Sequence, residues 1–198
     1  MELVLASKSP RRIEILKRFG LHFTVCAADI PEITGGQPED TAVTNAAAKA
    51  AVVFEKFPNA LVIGADTIVV INDQILGKPQ TPQQAATMLR LLSGKMHQVI
   101  TGVAIISANA QKKFSVCTDV CFRELADYEI QAYINTKEPF DKAGAYAIQG
   151  IGGAFVESIS GCYYNVVGLP IPRLLVELRG FGIDAFARGE SKEEQCEI

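Results

Sequence analysis

The chain has no tryptophan and only two histidines among its 198 residues. His22 and His97 lie far apart, so a His/Cys zinc site is not expected. The five cysteines, Cys26, Cys117, Cys121, Cys162 and Cys196, are odd in number and have no Cys-x-x-Cys spacing. They read as reduced thiols of a cytosolic protein, not as a disulfide framework. A run of 18 apolar residues is also missing: the longest apolar stretch, Ala60 to Ile71, is interrupted by Asp66. The first residues, Met1-Glu2-Leu3-Val4-Leu5-Ala6, have neither the basic start nor the long apolar core of a secretory signal. The expectation is a cytoplasmic protein with no membrane partner. There is no excess of positive charge either. Nineteen Lys and Arg stand against 22 Asp and Glu, a net charge of −3, which argues against a dedicated nucleic-acid binder but leaves room for a local cationic pocket. No Gly-x-x-x-x-Gly-Lys-Ser/Thr segment occurs, which excludes a P-loop.

What is present is globular: 48% hydrophobic and 21% charged residues. Short β-type runs alternate with amphipathic helical stretches, which predicts a mixed α/β sheet protein. Strands are expected at residues 2–6, 22–28, 61–71, 74–76, 99–108 and 113–123, with hairpins at Asn72-Asp73 and Asn109-Ala110. Helices are expected at residues 10–19, 39–57, 82–92, 127–135 and 171–178. Residues 138–153 read as irregular and glycine-rich, and residues 154–159 as a strand pairing with 162–164 across Ser160-Gly161. The pattern predicts one domain over residues 1–182 and a frayed polar tail over 183–198.

Four segments carry candidate chemistry. In Ala6-Ser7-Lys8-Ser9-Pro10-Arg11-Arg12 a strand ends and a helix begins, with Ser9 as N-cap. Free N–H groups of a first helical turn, joined by two guanidinium groups and a lysine, suit a phosphate. The plain alternative is a solvated helix start, although first turns ordinarily favour Asp and Glu. In Gly64-Ala65-Asp66-Thr67 an acid interrupts an apolar strand, which is costly unless it is paired, protonated or on a metal. It either serves a site or is a buried acid satisfied by its surroundings. In a regular strand Asp66 and Thr67 face opposite sides, so sharing one pocket calls for a kink there or for the Thr67 backbone. Gly77-Lys78-Pro79 is a turn that can also aim a cation into a cleft. In Phe140 to Gly150 an ordered Gly-containing loop carries Gln149, whose amide can read a nucleobase edge or brace the loop. Two residues matter by context. Glu32, in an acidic loop, offers an oxygen for a metal. Lys49, among Ala46, Ala47, Ala48, Ala50 and Ala51, reads by default as a lysine reaching out to solvent. His97 reads as structural, and Cys117 and Cys121 as small core residues on one strand face. Cations, acids and an amide together suggest a triphosphate, a divalent metal and a base.

At these residues the sequence resembles the Maf family of nucleoside triphosphate pyrophosphatases. The resemblance runs from Leu3 to about Gly182, through the segments above together with Leu92-Ser93-Gly94, His97-Gln98-Val99, Asp141-Lys142-Ala143-Gly144-Ala145-Tyr146 and Asn165-Val166-Val167-Gly168-Leu169-Pro170. It implies hydrolysis of the α–β phosphate bond to a monophosphate and pyrophosphate, with Mg²⁺ or Mn²⁺. It implies a central mixed sheet with flanking helices in two lobes, the fold of the inosine triphosphate pyrophosphatases, and often a homodimer. By resemblance Asp66 is the catalytic acid and, with Glu32, a metal ligand. Ser7, Arg11, Arg12, Lys49 and Lys78 hold the triphosphate. Arg12, Thr67 and Gln149 match the branch acting on dTTP and UTP, and the role expected from this is the cleansing of modified pyrimidine nucleotides from the pool. The alternatives are the related 7-methyl-GTP branch and a nucleotide-binding regulator of cell division with negligible turnover.

Overall fold

The computed structural model of the protein describes residues 1–186. Strand β1 (Leu3–Leu5) leads into helix α1 (Pro10–Arg18), with Ser9 as N-cap and Pro10 at the first helical position, where a missing N–H is tolerated. The short strand β2 (Thr24–Val25) precedes the long helix α2 (Pro38–Lys56). Strand β3 (Leu61–Ile71) turns back as β4 (Gln74–Leu76) through Asn72 and Asp73, both left-handed with φ of 50° and 60°, the conformation a two-residue hairpin turn requires. Helix α3 (Pro82–Leu92) is capped by Thr81, whose hydroxyl accepts the Gln84 N–H at 3.2 Å. The hairpin β5 (Met96–Ile106) and β6 (Gln111–Phe122) follows, then α4 (Asp127–Asn135). Three 3-10 turns between Glu138 and Phe155 lead to β7 (Val156–Ser160), α5 (Tyr163–Val167) and α6 (Ile171–Arg179).

The seven strands form one sheet in the order β2-β1-β3-β5-β6-β7, with β4 on the far end of β3. Pairings of β1 are parallel and the others antiparallel, so the expected mixed α/β class holds. On one face α1 and α6 bury Leu16, Leu174 and Leu178 against Leu5, Ile63 and Ile105. On the other, α2 lays Ala46, Ala50 and Val53 on Val4, Val62 and Ala104. A further cluster, centred on Phe122, Tyr133 and Phe155, packs α3 and α4 against the distal half of the sheet.

Some expectations change. The strand expected over 22–28 is only Thr24–Val25, because both residues are exposed at the sheet margin and pair on one side alone. Residues 162–164 are not a strand. β7 pairs with β6 instead, Gly161 turns at φ +129°, and the Cys162 N–H donates to Thr118 Oγ1 at 3.1 Å as α5 begins. Cys117 is exposed and Cys121 only half-buried: Thr118, Val120 and Phe122 hold the core face of β6, so the cysteines take the other face. Of the expected tail, Ile183 and Ala185 pack on the first core, and residues 187–198 lie outside the described residues.

Candidate active site

The site begins with a gap in the sheet. On the side of β3 away from β5, β1 pairs with residues 61–63 and β4 with residues 69–71. Between them, residues 64–68 have no strand neighbour on that side among the described residues. A cleft of about 430 Å³ opens on this free edge, walled by the loop after β1 and the start of α1. Asp66 and Thr67 both line it. The register with β5 is continuous from Val62 to Val70, so the strand does not kink. Consecutive side chains leave on opposite faces, and the cleft wraps round the edge to reach both.

The Asp66 face is covered by α2. Two glycines bring that helix down onto the sheet: a Cβ on Gly64 would lie 2.2 Å from the Ala46 carbonyl oxygen, and one on Gly102 would lie 2.3 Å from the Ala42 carbonyl. One turn apart on the buried stripe of α2 stand Asn45 and Lys49. Lys49 Nζ lies 2.6 Å from Asp66 Oδ1 and 2.7 Å from Glu32 Oε1. Asn45 donates to Asp66 Oδ2 at 3.0 Å and is itself pinned by the N–H and carbonyl of Ile33, both at 2.9 Å. Lys49 is 8% exposed, so it does not reach out to solvent: Asp66, itself 5% exposed, holds it inward. Burial alone would raise the Glu32 pKa, but the hydrogen bond and charge of Lys49, joined by Lys78, hold it below the ordinary carboxylate value. Lys78 Nζ is 3.4 Å from Glu32 Oε2. The Gly77 carbonyl accepts the N–H of Gly144 at 3.1 Å, which anchors the turn carrying Lys78.

On the Thr67 face a cation, Arg12, touches the threonine. Arg12 donates Nε–H to the Gly168 carbonyl at 2.7 Å, Nη1–H to Ser7 Oγ at 3.2 Å and Nη2–H to Thr67 Oγ1 at 3.0 Å. Desolvation lowers its pKa, with Asp66 opposing. Ser7 Oγ also accepts the Ser9 N–H at 3.2 Å, so its own proton is free for a ligand. Behind Thr67, Thr101 Oγ1 lies at 2.9 Å and donates to the Asn165 carbonyl at 3.0 Å. Tyr146 and Ile148 continue this wall, and Gln149 lies beyond them, exposed. The loop is stapled from behind. Glu138 accepts the Tyr133 hydroxyl at 2.8 Å and the N–H groups of Ile151 and Gly152 at 3.1 and 3.2 Å. Tyr133 in turn accepts the Ala147 N–H at 3.3 Å. His97, as expected, is structural: it is buried and its Nε2 is 2.9 Å from the Tyr146 hydroxyl.

The cleft thus gathers Ser7, Arg11, Arg12, Glu32, Lys49, Asp66, Thr67, Lys78 and Gln149. Sequence reasoning missed Asn45, Thr101 and the Gly168 carbonyl. Asn45 left one readable trace, a polar residue four positions before Lys49 in a stripe of alanines; Thr101 and Gly168 left none. Glu32 and Asp66 suit a hard cation. No third His, Cys, Asp or Glu joins them among the described residues, and Lys49 already engages one oxygen of each.

A family profile described as "Maf-like protein" matches residues 2–181. A dTTP/UTP pyrophosphatase of Bacillus cereus is 49% identical over 185 residues, covering 92% of this chain and 97% of that protein. One of Bacillus anthracis is 48% identical over the same shares. Among solved structures, the Staphylococcus aureus Ham1 protein superposes with a TM-score of 0.53 at 18% identity, over 91% of this chain and all of that one, a likeness of fold. No helix among the described residues is long and apolar enough to cross a membrane.

Proposed function

The chain belongs to the Maf family, and from that premise we propose that it hydrolyses dTTP and UTP between the α and β phosphates, releasing the monophosphate and pyrophosphate. The observation that carries the reading is the joining, in one cleft, of a buried acid–lysine cluster, a cationic helix start and a recess running from Thr67 past Tyr146 to an amide. Arg11, Lys78 and the free proton of Ser7 bind the triphosphate, helped by the first-turn N–H groups of α1, where no acidic residue competes. Asp66 orients the attacking water and takes its proton as the new P–O bond forms and the α–β bridging bond breaks. Lys49 and Lys78 offset the charge that develops on the departing pyrophosphate. Arg12, Thr67 and Gln149 face the pyrimidine. Glu32 and Asp66 would hold Mg²⁺ or Mn²⁺, whose contribution is to neutralise phosphate oxygens.

We read residues 1–182 as one domain of two lobes around this cleft, acting as a homodimer in the cytoplasm, with removal of modified pyrimidine triphosphates as its role. The test is pyrophosphate release from UTP, dTTP, CTP, 7-methyl-GTP and ATP, with Mg²⁺, with Mn²⁺ and with chelator. UTP and dTTP should lead, and chelator should abolish turnover. A lead for 7-methyl-GTP would move the chain to the other branch, and binding without turnover would make it a regulator.

A further inference from the structure

Uracil and thymine present N3–H beside a carbonyl; cytosine presents a bare N3 beside an amino group. A site that tells them apart needs groups whose donor and acceptor roles are fixed. Gln149 is not such a group: it is exposed, and no hydrogen bond holds its amide among the described residues, so it can turn either end to a base. Thr67 is different. Its hydroxyl accepts from Arg12 at 3.0 Å and lies 2.9 Å from the Thr101 hydroxyl. Each hydroxyl has one proton. If Thr101 gives its proton to the Asn165 carbonyl at 3.0 Å, Thr67 must give its own to Thr101. In the reverse order Thr101 donates to Thr67, whose proton then finds only the Gly168 carbonyl at 3.5 Å, at the limit of a hydrogen bond. The first order makes two good bonds where the second makes one.

Resting on the dTTP/UTP reading above, we propose that Thr101, though it lies behind Thr67 and is fully buried, is a specificity-positioning residue: by taking the Thr67 proton it leaves Thr67 an acceptor toward the cleft. The remaining lone pair of Thr67 then welcomes the N3–H of uracil or thymine and repels the N3 lone pair of cytosine. Arg12 has used three of its five N–H groups on the protein, and the other two supply the donor that the adjacent base carbonyl needs. Polarity is thus set by a chain of neutral groups ending at a backbone carbonyl, which cannot change its role.

The experiment compares kcat/KM for UTP and CTP in the wild type, Thr101→Val, Thr101→Ala and Thr101→Ser, with thermal midpoints alongside. Valine keeps the shape of threonine and removes the proton acceptor; alanine does so without filling the space if valine disturbs the fold. In both, the freed Thr67 proton can serve cytosine, and the UTP/CTP ratio should fall by roughly tenfold, the scale of one mismatched hydrogen bond. Serine restores the hydroxyl and should restore the ratio. A ratio within twofold of wild type in folded Thr101→Val or Thr101→Ala overturns the assignment, as does a serine variant that loses the ratio as fully as valine. Wild-type protein that hydrolyses neither UTP nor dTTP would instead overturn the function on which the assignment rests.

Discussion

On one face of the free edge of β3, Asp66 lies in a knot of charge: Lys49 on one oxygen, Asn45 on the other, Glu32 and Lys78 beyond. On the other face, one residue later, Thr67 stands at the end of a row of hydroxyls and carbonyls. The same strand, in unbroken register, supplies both. The difference teaches how a period of two can divide labour. On the proposed function, chemistry that needs strong fields would fall to one face and base reading, which needs fixed donor and acceptor roles, to the other. The cleft unites them only because the neighbouring strands stop short.

The comparison can be broken most forcibly from the charged side. Asp66→Asn should lower turnover by on the order of 10² or more while leaving the UTP/CTP ratio of the residual activity intact. Its new amide would also face the Asn45 amide, already pinned by Ile33, so a stability loss of about 1–3 kcal/mol in denaturant titration is expected as well. A changed ratio would show that the two faces are not independent.

Gly64→Ala tests whether the helix seam keeps them apart. Its Cβ cannot coexist with the Ala46 carbonyl, so α2 must shift, with Asn45 and Lys49 on it. We expect a loss of roughly 1–3 kcal/mol or more and a depressed kcat with little change in base preference, read by steady-state kinetics on both nucleotides.

Acid should act on the two sides in different ranges. Behind the Thr67 face, burial pushes His97 down to about 4 from 6.5. Between those values the unfolded chain binds the proton and the folded one does not, so stability should fall as pH drops from about 6.5 to 4, by up to about 3 kcal/mol, and then level off. His97→Phe should flatten that segment of a stability–pH curve. Glu32 has the opposite sense of charge. Its lowered pKa gives stability that is present above its ordinary value of 4.5 and lost as pH falls through its folded value, so Glu32→Gln should flatten only the more acid segment.

The smallest structural effect belongs to Lys78→Ala. Lys78 is half-exposed and meets Glu32 only at 3.4 Å, so chemical denaturation should register no more than about 0.5–1 kcal/mol. KM for nucleotide should nonetheless rise severalfold, since the ligand would gain more from this cation than the fold does.

Much of this arrangement is legible in the sequence. The long strands β3, β5 and β6 and the five longer helices follow from periodicity and turn residues. Asp66, Lys49 and the Arg11-Arg12 pair stood out as charges where apolar or acidic residues are the norm. What was illegible has two causes. Short runs such as Cys162-Tyr163-Tyr164 suit strand and helix equally, and the choice was made by Thr118, 44 residues away, which holds the Cys162 N–H. Thr101 and the Gly168 carbonyl matter only through what they touch, and a threonine in a strand or a backbone carbonyl gives no local sign of its partner.

The bond from Arg12 to the Gly168 carbonyl spans 156 residues of chain. Glu32, Lys49 and Asp66, by contrast, all lie within the first third of the chain. On a ribosome adding about 5–20 residues per second, Gly168 is made on the order of 5–20 s after Asp66. A nascent chain therefore carries its acids and lysine well before the carbonyl that holds Arg12. A chain truncated before α5 lacks both the carbonyl that holds Arg12 and the α6 leucines of the first core, so on the proposed function it should lose its fold and its base discrimination together.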